Sequence, residues 1–200
     1  MKKIKGLFPK IYDFENLFCA YKAAIKCKRY RPDVMQYTDR LEDNLIILQN
    51  ELIWGQYSVG TYNIFYVYEP KKRLIMSLLF KDRVAQHAIY RQVNPIFEKK
   101  FIFDSYACRV GKGTHKAIDR LQYWLRQTNR KPQKYYYLKL DVSKYFYRID
   151  HSILKKILAK MFDDPPLLEL LAKIIDCEDT KFGLPLGADI GDVAFDRMLD

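Results

Sequence analysis

The chain has 200 residues, 49% of them hydrophobic and 30% charged, and this balance excludes a disordered tail and a fibrous protein. Lysine and arginine number 35 against 24 aspartate and glutamate residues, a formal net charge of +11. No stretch approaches the roughly 20 apolar residues of a membrane span, and no secretory signal follows the charged start. The four cysteines lack the paired spacing of a zinc site. We therefore expect a cytoplasmic protein with no membrane partner.

The positive charge is concentrated in the first four fifths of the chain. Residues 1–160 carry a net charge of +18, whereas residues 161–200 carry −7. A basic body attracts a phosphate backbone, and the aromatic residues, 15% of the chain, offer rings for base stacking. The pattern favours nucleic-acid binding. The alternative is a basic protein whose lysines are only solvated.

The predicted elements begin with a helical head. Apolar residues at helical spacing predict two helices, Asp13–Tyr30 and about Asp39–Trp54, and Arg31-Pro32 ends the first of them. The period then changes, and the β-rich run Tyr62–Tyr68 with its return, Arg73–Leu79, predicts a hairpin. The tip of this hairpin is positively charged.

Helical periodicity resumes from Lys81 to Phe97. A further helix is predicted with Thr114 as its N-cap, followed by a buried strand over Tyr135–Leu140. Asp150 is predicted to cap the next helix, and Pro165-Pro166 separates that helix from a last one. The order of elements predicts an α+β layout.

An apolar strand that ends in Asp141 places a carboxylate at a strand edge, where side chains leave the core and can meet a ligand. A hard oxygen ligand in that position suits Mg²⁺, which is held by one or two carboxylates together with substrate phosphates. The alternative for an aspartate at a strand end is a turn former or a helix cap.

Three blocks in a fixed order extend the interpretation of Asp141. They are Glu69–Ile75 with Asp82–Ala88, then Phe103–His115, then Leu138–His151. In this order they resemble the N-terminal part of a bacterial reverse transcriptase, of the broad group that contains group II intron, retron and diversity-generating retroelement enzymes. The resemblance implies an α+β right-hand polymerase with fingers and palm, which copies RNA into DNA by two-metal phosphoryl transfer.

The resemblance also implies an organisation and a set of partners. Residues 1–57 would form an N-terminal helical extension, residues 58–134 the fingers, and residues 135–200 an incomplete palm. The cofactor would be Mg²⁺ or Mn²⁺. The partners would be an RNA template, a DNA or RNA primer and dNTPs. Whether an accessory protein takes part stays open.

The resemblance assigns the metal contacts to the carboxylate of Asp141, which would be catalytic, and to the backbone carbonyl of Val142. Phe146 would be the aromatic gate that packs beneath the incoming sugar and excludes a 2′-hydroxyl. That role is compatible with the alternative, in which Phe146 is a core aromatic residue.

The remaining assignments concern cations and a glycine-containing turn. Arg73 would clamp the incoming nucleotide, and Lys71 or Lys72 would meet its triphosphate, although an exposed basic turn is the alternative for all three. Template contact falls on Arg109 and on a short turn that consists of Gly111, Lys112, Gly113 and Thr114. Glycines let a backbone approach closely and a helix N-terminus binds phosphate, but such a turn is often only a turn.

Two expected pieces of the polymerase do not fit the pattern. Asp163-Asp164 has the form of the second metal-binding pair, yet it lies soon after Asp141 and Pro165-Pro166 follows where a strand should continue. We interpret it as an acidic turn at a helix end. Gly183–Gly187 resembles the opening of the next motif without its glutamine, so it is either a divergent motif or an acidic lead-in loop.

The sequence is therefore interpreted as a fragment of a reverse transcriptase that stops before its second catalytic motif. We expect this fragment to bind nucleic acid and to be inactive as a polymerase by itself. Two alternatives stay open. One is a non-catalytic nucleic-acid-binding protein derived from the same fold, and the other is an unrelated basic α+β module that matches the three blocks by chance.

Overall fold

A computed structural model describes residues 3–69, 72–107, 109–143 and 148–177, and for Arg73 it describes the backbone. Within those residues the chain forms helices and one antiparallel hairpin. The elements are α1 (Phe8–Tyr12), α2 (Phe14–Ala24), α3 (Pro32–Asp39), α4 (Leu41–Ile53), β1 (Asn63–Val67), β2 (Arg73–Ser77), α5 (Phe80–Glu98), α6 (Thr114–Asn129), α7 (His151–Met161) and α8 (Pro165–Ile175). None of the helices in the described part of the chain has the length and apolarity to span a membrane.

The described head contains four helices where the sequence predicts two. α2 ends at Ala24, and the chain then turns through residues 25–31, with Cys27 at a φ of 59° in the left-handed region that few non-glycine residues adopt. Pro32 does not only end a helix. It begins α3, because a proline in the first turn has no N–H group that would lack a partner. Arg40 then separates α3 from α4.

The centre of the core is the contact between α2 and α5. Their buried apolar side chains are Leu17, Ala20, Tyr21 and Ala24 of α2 and Phe80, Val84, Ala85, Ala88, Ile89, Val93 and Phe97 of α5. Leu45, Leu48 and Leu52 of α4 are also buried in this cluster. Burial of one large aliphatic side chain contributes about 1.5–3 kcal/mol, so this apolar cluster stabilises the head and α5 as one unit.

α7 and α8 pack against each other and join the same core. Phe162, between the two helices, is fully buried and meets Phe97 of α5 edge to face, with 6.1 Å between the ring centroids. The backbone of Ile4 also forms a parallel β-bridge with Phe162. The helix pair is therefore attached both to α5 and to the start of the chain.

The acidic turn between α7 and α8 holds the N-terminal segment. Asp163 forms an exposed ion pair with Lys5 at 2.8 Å, and this hydrogen-bonded cation lowers the pKa of the Asp163 carboxyl. Asp164 is buried, and its Oδ2 accepts hydrogen bonds from the backbone N–H groups of Leu7 at 2.7 Å and Phe8 at 3.0 Å. The position of both carboxylates agrees with the prediction of an acidic turn at a helix end.

The hairpin that the sequence predicts is confirmed. β1 and β2 pair antiparallel, with Asn63 opposite Ser77 and Val67 opposite Arg73. Every residue of β1 is exposed. β1 therefore does not pack into the core, and its side chains are accessible to another molecule.

Two predictions, a buried strand over residues 135–140 and the N-cap of α6, are wrong in this structure. Residues 135–140 form no regular secondary structure, and Tyr136 and Tyr137 are 91% and 92% exposed rather than buried in a strand. A strand needs partners for its backbone N–H and C=O groups, and within the described residues the hairpin is the only sheet. Thr114 is the first residue of α6, and Gly113 is its N-cap.

The predicted cap of α7 is confirmed. The Asp150 carboxylate accepts hydrogen bonds from the backbone N–H groups of Ser152 at 2.8 Å and Ile153 at 3.0 Å. These hydrogen bonds, with that from the Ser152 hydroxyl, lower the pKa of Asp150. The helix therefore begins where its side-chain cap satisfies two of its first N–H groups.

Candidate nucleic-acid interface

The base of the hairpin is tied to α5 by a buried carboxylate. Asp82, in the first turn of α5, is fully buried, and it accepts hydrogen bonds from the Tyr57 hydroxyl at 2.9 Å and from the Gly60 N–H group at 3.0 Å. Burial raises the pKa of Asp82, while the two hydrogen bonds oppose that rise. The sequence did not predict this anchor, because its three members are linked only by the tertiary fold.

Gly60 is required for this close approach. A Cβ atom at this position would lie 2.6 Å from Cδ1 of Leu79 and 3.0 Å from Oδ2 of Asp82. A larger residue would therefore push against the side chain of Leu79 and against the carboxylate that the Gly60 N–H group binds. The anchor fixes where the hairpin leaves the core.

The tip of the hairpin presents a cation over aromatic rings. Lys72 is exposed, and its Nζ lies 4.5 Å from the ring centroid of Tyr66 and 5.8 Å from that of Tyr68. Such cation–π contacts hold an ammonium without neutralising its charge, so it remains available to a phosphate. Lys71 and the side chain of Arg73 lie outside the described residues.

Arg109 organises the loop that precedes α6. Its guanidinium pairs with Glu98 at 3.0 Å and donates to the backbone carbonyls of Ile102 and Ser105, each at 3.0 Å. It also lies 5.2 Å from the ring centroid of Phe101, and its side chain is only 9% exposed. The group predicted to contact template is therefore used mainly within the protein, where it shapes the loop.

The turn after Arg109 leads into α6. Gly111 and Gly113 have φ values of 73° and 104°, and no atom lies within 4 Å of a Cβ added at either, so their conformation rather than space requires glycine. Lys112 donates from Nζ to the Phe103 carbonyl at 2.5 Å and lies over that ring at 3.8 Å. Thr114 opens α6, whose N-terminus has no side-chain cap. The predicted turn thus lies at the positive end of a helix dipole.

A second ion pair supports this loop. Nε of Arg120 on α6 donates to Oδ1 of Asp104 at 2.9 Å, and this hydrogen bond is the main cause of the lowered pKa of Asp104. The Arg120 guanidinium also lies 5.3 Å from the ring centroid of Phe103 and 4.9 Å from that of Trp124. Arg120 and Asp104 are sixteen residues apart, so no short sequence pattern indicates that they pair, and the sequence analysis did not predict this ion pair.

Asp141 lies near the end of the described range 109–143. Both Asp141 and Val142 are exposed. The Asp141 carboxylate is thus neither sealed in apolar packing nor paired to a cation in the described structure. Among residues 3–69, 72–107, 109–143 and 148–177, no group of three or more His, Cys, Asp or Glu side chains is placed to hold a metal. One carboxylate and a neighbouring carbonyl fit part of the octahedral oxygen shell of Mg²⁺, which phosphates and water commonly complete. Phe146 and Gly183–Gly187 lie outside the described residues.

Comparison with known proteins agrees with the order of the blocks. The family model described as reverse transcriptase (RNA-dependent DNA polymerase) matches residues 69–200. The chain is 28% identical to Protein YkfC of Escherichia coli (strain K12) over 154 residues, which are 76% of this chain and 40% of that protein. It is 27% identical over 92 residues to Nuclear intron maturase 2, mitochondrial, of Arabidopsis thaliana, which covers 38% of this chain and 12% of that protein.

The chain thus spans less than half the length of both curated relatives. The family match covers about two thirds of the chain and contains all three blocks on which the resemblance rests. The resemblance is confirmed, and the chain belongs to the reverse transcriptase (RNA-dependent DNA polymerase) family.

Proposed function

We propose that the intact protein is an RNA-directed DNA polymerase of the cytoplasm that extends a DNA or RNA primer on an RNA template. The family match over residues 69–200, which includes the hairpin tip, the loop before α6 and Asp141, is the observation that carries this proposal. In this proposal we assign residues 1–57 to the N-terminal helical extension, residues 58–134 to the fingers and residues 135–200 to the palm.

The catalytic group in this proposal is Asp141. Its carboxylate and the carbonyl of Val142 would hold a divalent ion, Mg²⁺ or Mn²⁺, which would supply charge neutralisation for the nucleotide phosphates. The exposure of Asp141 supports this role, because a nucleotide can reach the carboxylate. The ion needs further carboxylates, and we place those beyond the described residues.

The incoming nucleotide meets the hairpin. Lys71 or Lys72 binds the triphosphate as a point charge, Arg73 stacks over or clamps the nucleotide with its planar guanidinium, and Phe146 packs beneath the sugar. The Asp82 anchor supports this role indirectly, because it fixes the base of the hairpin and so limits where the tip can move. The exposed position of Lys72 is consistent with contact to a ligand.

The template strand runs past the turn before α6. Gly111, Lys112, Gly113 and Thr114 offer a backbone without bulky side chains, one ammonium and the positive end of α6, all of which suit a phosphate. Arg109 acts here by holding the loop to Glu98 rather than by a free guanidinium. We therefore assign it a positioning role.

Primer extension tests the proposal. In an intact protein, Asp141→Asn should reduce Mg²⁺-dependent extension on an RNA template by at least about a thousandfold, because an amide is a poor metal ligand and carries no charge. The matched control is Asp163→Asn, whose side chain pairs with Lys5 on the surface, and it should extend normally. The readout is the initial rate of dNTP incorporation at several Mg²⁺ concentrations.

Two outcomes would contradict the proposal. Unchanged extension by the Asp141 variant would remove the metal assignment, and equal loss in the Asp163 variant would show that the acidic turn, not Asp141, carries the chemistry. An intact wild-type protein that binds RNA but never extends a primer would instead support the alternative of a non-catalytic nucleic-acid-binding protein with the same fold.

A further inference from the structure

The turn between α2 and α3 concentrates positive charge that the proposed active site does not use. Five cations and no acidic residue lie between Glu15 and Asp33. Those in the turn itself are Lys26, Lys28, Arg29 and Arg31, and we call residues 25–31 the basic turn. Lys26, Arg29 and Arg31 are exposed, and so is Tyr30, at 76%.

The cations of the basic turn differ from most structural cations in this protein. Elsewhere in the described part of the chain, cations that form ion pairs include Lys5, Lys81, Arg109, Arg120, Lys155 and Lys173. Lys26, Arg29 and Arg31, in contrast, have no ion pair to any residue that the structure describes. Their charges therefore add to one another without local neutralisation, and a polyanion would gain their full attraction.

Helix stability does not account for this arrangement. A cation near the C-terminus of α2, such as Lys26, interacts favourably with the dipole of α2. Arg31, however, is the N-cap of α3 and lies at the positive end of the α3 dipole, where a cation is unfavourable. Cys27 also holds a left-handed φ of 59°, a conformation that costs energy for a non-glycine residue. Unfavourable charge and backbone strain in one turn are common where a segment contacts a ligand.

The basic turn adjoins the base of the hairpin. Tyr21 lies one helical turn before the basic turn, and Tyr37 lies in α3 just after it. Both rings meet Phe80, the first residue of α5, edge to face, with centroid distances of 6.2 Å and 5.1 Å. Since the hairpin enters α5 at Phe80, these contacts place the end of α2 and α3 against the start of α5, next to the point where the hairpin leaves the core.

We infer that the basic turn is a second contact surface for RNA, which binds the phosphodiester backbone of a single strand through Lys26, Arg29 and Arg31, with Tyr30 available to stack on a base. The inference rests on the proposed function for the identity of the strand, which we take to be the RNA template outside the active site. Binding of this kind depends on charge rather than on base sequence.

Fluorescence anisotropy tests the inference by measuring how the 200-residue chain binds a labelled oligo(U) of about 20 nucleotides. This probe is longer than the ~4–16 nucleotides that one binding module covers. The variant Lys26→Gln/Arg29→Gln/Arg31→Gln should weaken binding by roughly tenfold or more. Its slope of log K against log salt should be shallower by about 2, since each lost phosphate contact on a single strand removes about 0.7. Circular dichroism checks that the fold is retained, as expected for exposed residues without ion pairs.

The matched control is Lys10→Gln/Lys156→Gln/Lys160→Gln, which removes three other exposed positive charges. Its slope of log K against log salt should stay within about 0.7 of the wild-type slope, the value of one phosphate contact. Equal loss in both variants would overturn the inference, because it would reflect net charge alone. Unchanged RNA binding by the basic-turn variant would also overturn it and point to an acidic protein surface as the partner. Primer extension by the intact protein tests the proposed function separately, so either idea can fail without the other.

Discussion

Burial decides what each of two adjacent aspartates does in the acidic turn. Asp163 and Asp164 are neighbours in the sequence, but the first is exposed beside Lys5 and the second is 6% exposed beneath the start of α1. An exposed ion pair is screened by water and contributes little. A buried carboxylate that accepts two backbone N–H groups satisfies donors that have no other partner at a helix start.

We expect Asp164→Ala to lower the free energy of unfolding by about 2 kcal/mol, because it leaves two N–H groups at the start of α1 without acceptors. Asp163→Ala, the matched control one residue away, should change it little. Urea denaturation followed by circular dichroism measures both. Equal effects of the two substitutions would mean that Asp164 does not hold the N-terminal segment as described.

At the scale of elements, one side chain joins three helices. Asn16 of α2 donates from Nδ2 to the carbonyls of Ile11 at 3.0 Å and Ala88 at 3.1 Å, and its Oδ1 accepts from Arg91 at 3.2 Å and Gln92 at 2.8 Å. The side chain is buried, and its four hydrogen bonds link α1, α2 and α5 through a single amide.

Asn16→Ala should therefore lower the free energy of unfolding by about 2–4 kcal/mol, since four hydrogen bonds to one buried amide are lost together. Gln49→Ala is the control, because Gln49 makes a single hydrogen bond, to the Tyr12 carbonyl at 2.9 Å, and its loss should cost only about 1 kcal/mol. Chemical denaturation at neutral pH compares the two. A smaller effect for Asn16 than for Gln49 would show that the four-bond network does not join the helices.

The elements that the sequence predicts well are those whose partners follow from local pattern. α5 was predicted from apolar residues at helical spacing, and the hairpin from two β-rich runs around a tight turn. The strand predicted over residues 135–140 failed because a strand depends on distant partners that no local pattern supplies. The sequence also predicts one helix up to Tyr30, whereas α2 ends at Ala24. Pro32 was interpreted as the end of that helix, but it is the first residue of α3.

The candidate site was predictable to the same extent. Gly111 and Gly113 lie in a turn, as predicted, with positive φ values that depend on the local backbone, while their contact with a template stays a prediction. The role of Arg109 was not predicted, because Glu98, its partner, lies eleven residues away at the end of α5. Asp82 was missed as an anchor, since a carboxylate in a first helical turn is ordinary until Gly60 and Tyr57 approach it.

At the scale of the whole molecule, the described chain has a packed part and an open part. The helices α1–α5, α7 and α8 share the buried core, whereas α6 has no buried residue. Leu121, Trp124 and Leu125 of α6 are each at least half exposed, as are most apolar side chains of residues 136–142. An exposed apolar surface of this extent commonly marks a place where other protein packs.

Hydrogen exchange should separate these two parts. In the 200-residue chain we expect amides of α2 and α5 to be the most protected and residues 131–143 to exchange fastest, because protection follows burial and backbone hydrogen bonding. In an intact polymerase, residues 135–140 should gain protection by at least tenfold, since the completed palm would supply strand partners and cover α6. The head should exchange equally in both proteins and serves as the internal control. Equal, fast exchange of residues 135–140 in both proteins would mean that this segment is a loop and not a palm strand, and it would leave Asp141 without the sheet edge on which its proposed role depends.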